Sequence, residues 1–167
     1  MIPTKPLLGL PGTPGVDRDP AQLRNTYNTE EELFAVVEDL RKAYEEIVPQ
    51  VAEYQTYDCD DCEYLIIAHG VVTRTAQEAV KNLRAKGIKA GHFRPVTLRP
   101  LAADALLPIA CRAKKILVAE SALGQVKRMI TDGIYGCTTP IETLYKPGEG
   151  IYTEEIEAKV LAMAKGE

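Results

Sequence analysis

From Tyr64 onward, short apolar runs alternate with amphipathic helical stretches, and that rhythm restricts the fold more than any other feature of the chain. Tyr64-Leu65-Ile66-Ile67-Ala68 closes on His69-Gly70, the profile of a strand buried on both faces. Thr73 to Lys86 follows as a helix with Ala76, Val80 and Leu83 on one face, and Gly87 stops it. Ile88 to Phe93 reads as a second strand ended by Arg94-Pro95, and Leu101 to Arg112 as a second helix, bent or broken near Pro108. Lys115 to Ala119 makes a third strand closing on Glu120, and Leu123 to Tyr135 a third helix. Pro140 to Leu144 is a fourth strand and Thr153 to Ala164 the last helix. Alternation at this pitch means βαβ units, hence an α/β fold with a mostly parallel open sheet covered by helices on both faces. This domain is placed at residues 62–167.

Two segments of different character precede it. Residues 1–28 contain Pro3, Pro6, Pro11, Pro14 and Pro20 with Gly9, Gly12 and Gly15 among them, and read as a Pro/Gly-rich arm or linker. The Gly9–Gly15 stretch is no phosphate loop: it follows no strand, opens no helix, and its prolines remove the N–H groups that would cradle a phosphate. Residues 29–61 read as a linker helix. Thr29-x-x-Glu32 is a capping box, and Glu30, Glu31 and Glu32 suit the positive end of a helix dipole. Leu33, Val37, Leu40, Tyr44, Ile47, Val51 and Tyr54 then form a heptad seam that packs on its own domain or on a partner. Pro49 lies inside the seam, so a kink or two helices meeting there is expected.

Composition removes several function classes. The chain has 167 residues and a net charge of −4, against the clustered basic charge of a nucleic-acid binder. No run approaches the ~20 apolar residues of a membrane span, and no signal segment opens the chain, so no membrane is expected and a cytoplasmic location is. Cys59, Cys62, Cys111 and Cys137 are therefore expected as reduced thiols. Cys59-Asp60-Asp61-Cys62 has redox or metal spacing, but no second pair completes a zinc ribbon or a cluster site. Its aspartates, with Asp58 and Glu63, are expected to raise the thiol pKa and leave the pair inert. Cys111 and Cys137 read as buried small hydrophobes, and His92 as a core or edge histidine within a strand.

In such a sheet, ligands bind beyond the carboxyl ends of the strands, where His69-Gly70, Arg94 and Glu120-Ser121 stand. His69 could serve as a base with Glu120 as its orienter or as a proton carrier. The plainer reading has His69 capping a strand and Glu120 accepting backbone N–H bonds from the next helix. One histidine without a second catalytic group makes no constellation. His69-Gly70-Val71-Val72-Thr73-Arg74 lacks the glycines of a dinucleotide turn, and no Walker, Gly-x-Ser-x-Gly or His-Glu-x-x-His pattern occurs. By residue chemistry alone the domain is non-catalytic.

Three segments in order resemble a known family. They are Leu65-Ile66-Ile67-Ala68-His69-Gly70, then Phe93-Arg94-Pro95-Val96-Thr97-Leu98-Arg99-Pro100, then Ile116 to Gln125 with Glu120, Gly124 and Gln125. Together they resemble the transketolase C-terminal-like domain of the 2-oxoacid:ferredoxin oxidoreductases, at the end of the alpha subunit, over about residues 62–158. Ala122, Arg99 and His69 stand where that family often has Asn, an aromatic and Tyr. The resemblance implies an enzyme that decarboxylates a 2-oxoacid on thiamine diphosphate, passes electrons through iron–sulfur clusters to ferredoxin, and delivers the acyl group to coenzyme A. It implies that thiamine diphosphate, Mg and the clusters belong to the complete enzyme and none to this chain. The partners it implies are a pyrimidine-binding domain, a thiamine diphosphate-binding beta subunit, and gamma and ferredoxin-like subunits. Thr138-Thr139-Pro140-Ile141 and Lys146-Pro147-Gly148 resemble pyruvate or branched-chain (2-oxoisovalerate) members. His69, Gly70, Arg94, Glu120, Gly124 and Gln125 are then ligand or interface positions, with no catalytic, cofactor or metal residue expected. The alternative is a free-standing α/β module binding a small anion at the His69, Arg94 and Glu120 strand ends.

Overall fold

A computed structural model describes residues 27–166, so nearly all of the Pro/Gly-rich segment 1–28 lies outside the described residues. The chain divides into two units, Met1–Glu46 and Ile47–Glu167. The described elements run in the order α1 (Glu30–Val51), β1 (Tyr54–Tyr57), β2 (Tyr64–Ala68), α2 (Val72–Ala85), β3 (Ala90–Pro95), α3 (Ala103–Arg112), β4 (Lys115–Glu120), α4 (Gln125–Gly133), β5 (Ile141–Tyr145) and α5 (Thr153–Lys165).

α1 starts where its capping box places it: the Thr29 hydroxyl accepts the Glu32 N–H at 3.2 Å, and the Glu32 carboxylate accepts the Asn28 N–H. It continues through Pro49 as one helix, contrary to the expected junction. Pro49 falls in its last turn and removes the N–H that would bond the Glu45 carbonyl, yet the helix runs on to Val51. Tyr54, read as the last seam position, belongs instead to β1.

The sheet order is β1-β3-β2-β4-β5, with β3, β2, β4 and β5 parallel and β1 antiparallel on the edge. β2 lies at the centre, and Leu65, Ile66, Ile67 and Ala68 are completely buried because both sheet faces are covered. Ile66, Ala68, Leu117 and Ala119 face α2 and α5, packing with Val80, Leu83, Ile156 and Val160. Leu65, Ile67, Ile116, Val118 and Phe93 face the other way and pack with Leu106, Ala110, Val126 and Ile130 of α3 and α4. The mostly parallel α/β reading therefore holds. α3 is a single helix through Pro108.

The segment 52–61, read as linker, joins the sheet instead. β1 pairs Tyr54 with Pro95 and Gln55 with Arg94, which extends β3 beyond Phe93, where Arg94-Pro95 was expected to end it. A proline closes β3 without loss because it sits at the strand's terminus. Tyr54 stacks on Phe93 with ring centroids 5.3 Å apart. The turn into β2 crosses β3 so closely that a Cβ at Gly91 would lie 2.6 Å from the Asp58 carbonyl oxygen and 2.7 Å from the Cys62 Cβ. Gly91→Ala should therefore cost about 2 kcal/mol, read from urea unfolding. Unchanged stability would show that the turn yields freely.

Among the described residues, no helix is long and apolar enough to cross a membrane.

Candidate functional site

β2 and β4 run parallel in direct register, Ala68 opposite Ala119, and β3 lies on the other side of β2 with Phe93 opposite Ile67. The residues that follow, His69-Gly70 and Glu120, therefore emerge at one end of the sheet, and Arg94 emerges beside them. Gly70 turns the chain with φ +58°, a left-handed conformation that favours glycine.

Glu120 is wholly buried. One carboxylate oxygen accepts the Val126 N–H at 2.9 Å and the other accepts the Lys127 N–H at 3.2 Å. Both belong to the first turn of α4, where the unpaired N–H groups and the helix dipole favour a negative charge. Gly124 precedes that helix at φ +90°, and a Cβ there would lie 3.0 Å from the Tyr145 hydroxyl. Gln125 folds back so that its side-chain oxygen accepts the Leu123 N–H at 2.8 Å. Glu120, Gly124 and Gln125 thus form one capped turn, and the capping carboxylate orients no histidine.

Arg94 points to the edge of the sheet: its Nη1 donates to the Gln55 side-chain oxygen at 3.0 Å, across the β1–β3 pair. Its Nε is buried with no hydrogen-bond partner, as is the Thr73 hydroxyl in the first turn of α2. His69 is half-buried at the end of β2. The six candidate positions therefore share one end of the sheet but divide into a capped turn and the separate side chains of His69 and Arg94.

His92 is a core residue. Its Nε2 lies 3.2 Å from the Ala68 carbonyl, which can only accept, so the ring carries its proton there. Desolvation pulls the imidazole down to about 4, partly opposed by that hydrogen bond.

The thiols depart from the sequence expectation in part: Cys59 is raised as expected and Cys62 is not. Cys59 and Cys62 are buried, 5% and 7% exposed, in the turn between β1 and β2. The Cys59 thiol donates to the His92 carbonyl at 3.2 Å, and the neighbouring Cys62 thiol together with burial raises it. Cys62 is instead lowered, by the Cys59 thiol and by the charges of Arg112 and Arg84. Asp61 still acts to raise Cys62 but is outweighed, and Arg84 engages the aspartates directly: its Nη2 meets the Asp61 carboxylate at 2.6 Å and its Nε lies 3.6 Å from Asp58. Sequence reasoning missed these guanidiniums because α2 and α3 bring them from distant positions. Cys111 is exposed and Cys137 half-buried, so neither is the buried hydrophobe expected. Cys111 lies on the face of α3 turned from Leu106 and Ala110.

Solved structures share the fold. One chain of a 2-oxoglutarate:ferredoxin oxidoreductase from Magnetococcus marinus, with 2-oxoglutarate, coenzyme A and succinyl-CoA bound, matches 92% of this chain and 28% of its own length, with TM-score 0.70 and 19% identity. A split-gene transketolase, an inactive beta4 tetramer, matches 59% of this chain and 37% of its own, with TM-score 0.54 and 23% identity. Among curated proteins, ketoisovalerate oxidoreductase subunit VorB of Methanothermobacter thermautotrophicus is 33% identical over 91 residues, 54% of this chain. The 2-oxoglutarate synthase subunit KorA of Methanocaldococcus jannaschii is 35% identical over 91 residues. The chain covers 26% and 23% of those two relatives, about a quarter of their length. The family model for pyruvate:ferredoxin oxidoreductase core domain II matches residues 62–160, more than half of the chain, and on that match the protein belongs to this family.

Proposed function

We propose that this chain is a non-catalytic, interface-forming domain of the alpha subunit of a thiamine diphosphate-dependent 2-oxoacid:ferredoxin oxidoreductase. Residues 1–61, apart from the edge strand β1, connect it to the pyrimidine-binding domain. The complete enzyme oxidises a 2-oxoacid to carbon dioxide and acyl-CoA and reduces ferredoxin. In this reading the thiamine diphosphate, Mg and iron–sulfur clusters are held by other domains and subunits. The residues at this strand end do not fit them. Both Glu120 oxygens are committed to α4, and among the described residues no group of three His, Cys, Asp or Glu is placed to hold a metal.

One observation carries the interface role. None of the 22 residues of α1 is buried, although Leu40 is 65%, Val37 51% and Ile47 46% exposed on a seam built for packing. The match covers only about a quarter of the relatives' own length, so the rest of such an enzyme is a natural occupant for that seam. Leu40→Glu should leave the melting temperature of the isolated chain within about 2 °C of wild type, because the side chain touches little here. The same change should weaken recovery of partner subunits in a tagged pull-down from the source cells. A large fall in melting temperature would place the seam inside this chain instead.

The functional test is viologen reduction by a panel of 2-oxoacids with coenzyme A. The isolated chain is expected to be inactive, and the recovered complex active. Turnover by the isolated chain would overturn the reading. The branched-chain or pyruvate assignment rests on the residues near Thr138 and Lys146 and on the VorB relative. The KorA relative is of similar identity, so the substrate panel decides between them.

The anion-binding alternative is favoured by one observation, the buried Arg94 Nε that has no acceptor. Phosphate or a dicarboxylate raising the melting temperature in wild type but not in Arg94→Gln would support it.

A further inference from the structure

We propose that Cys59 and Cys62 form a peroxide-responsive dithiol, with Cys62 the attacking and Cys59 the resolving sulfur. The two cysteines stand three positions apart in the one turn between β1 and β2, both buried in the same core cluster, so closing the pair requires little movement of the chain. The turn is held from outside. Arg84 donates to the Asp58 carbonyl at 2.8 Å and to the Ala90 carbonyl at 2.7 Å, and Arg112 approaches the Cys59 carbonyl at 3.4 Å. The Cys59 thiol has a carbonyl acceptor of its own, His92 O at 3.2 Å, and so keeps its proton. Cys62 has the neighbouring thiol and two guanidinium charges, the surroundings in which a thiolate forms.

Burial selects the oxidant. With 5% and 7% exposure the sulfurs leave no room for a bulky disulfide, whereas a hydroperoxide reacts through a single oxygen. The Cys62 thiolate attacks that oxygen, the O–O bond breaks, and a sulfenic acid forms as hydroxide leaves. The Cys59 sulfur then attacks the sulfenyl sulfur, the S–O bond breaks, and hydroxide departs with the Cys59 proton as water. With hydrogen peroxide, the sulfurs lose two electrons to the oxidant, and two thiols become one disulfide and two waters. A dithiol reductant reverses the change. A metal is a poorer occupant, because among the described residues no third ligand joins the pair.

The test uses the full chain, reduced and freed of reductant, exposed to hydrogen peroxide and quenched with an alkylating agent at intervals. Tryptic cleavage leaves Cys59 and Cys62 together in peptide 43–74, while Cys111 and Cys137 fall in separate peptides. Peptide 43–74 should appear lighter by two hydrogens, about tenfold faster than Cys111 loses its alkylated form. In Cys59→Ser, Cys62 should persist as a sulfenic acid that a cyclic dione traps, and in Cys62→Ser, Cys59 should remain alkylated. Slower closure than loss of Cys111, direct passage of Cys62 to sulfinic acid in wild type, or equal oxidation of Cys59 in Cys62→Ser would overturn the proposal. The wild-type rates do not depend on either variant folding.

Discussion

Glu120→Ala is expected to lower the stability of the sheet domain by about 4 kcal/mol, because it strips two buried N–H groups of their acceptor. The donors are Val126 and Lys127, and Glu120 is the side chain that satisfies both. A carboxylate there also opposes the dipole of α4, and its loss leaves a cavity against the end of β4. The melting temperature should fall on the order of 10 °C. Glu120→Gln keeps one oxygen but turns an amide NH₂ toward a donor, so about half the loss is expected to remain. A shift of only a few degrees in the alanine variant would mean that water takes over the capping.

Acid should destabilise the same unit through His92 before any carboxylate contributes. The unfolded histidine binds a proton below about 6.5, while the folded one, desolvated among strands, resists until about 4. Stability from this residue is therefore complete above pH 6.5 and is lost as pH falls toward 4, by about 3 kcal/mol in total. The carboxylates of Asp61, Glu63, Glu155 and Glu157 are held below their ordinary values by basic or amide partners, so their stabilisation fades only at lower pH, through the carboxylate range. Urea midpoints measured from pH 7 to pH 5 should therefore slope downward in wild type and lie nearly flat in His92→Leu. The leucine variant is less stable throughout because the Ala68 carbonyl loses its donor. An equal slope in both would remove His92 as the cause.

The parallel core was legible because its strands need both faces covered, and continuous runs such as Leu65 to Ala68 and Ile116 to Ala119 record that need directly. The plain reading of Glu120 was legible too, since a carboxylate between a buried strand and a helix start has N–H groups to accept. β1 was not. Its Tyr-Gln-Thr-Tyr is exposed at every position, carries no apolar run, and begins with a tyrosine that continues the spacing of α1. The β3 boundary went with it, because the pairing that carries the strand through Arg94 and Pro95 comes from β1. The thiol environment was hidden for a related reason. Local sequence showed only the acidic neighbours of Cys62, while Arg84 and Arg112 reach it through tertiary structure.

The edge position of β1 bears on what the interior of the domain can meet. This strand hydrogen-bonds within the sheet on one side only, and its four residues are the ones whose release sacrifices the fewest ladder bonds. Tyr54 covers Phe93 from that strand, and the turn that follows carries Cys59 and Cys62. A brief fraying of the edge thus uncovers an aromatic core residue and two sulfurs together while β2 and β4 stay paired. The permeability of this corner to small solutes is set by the local opening free energy of four residues and not by the global stability of the fold.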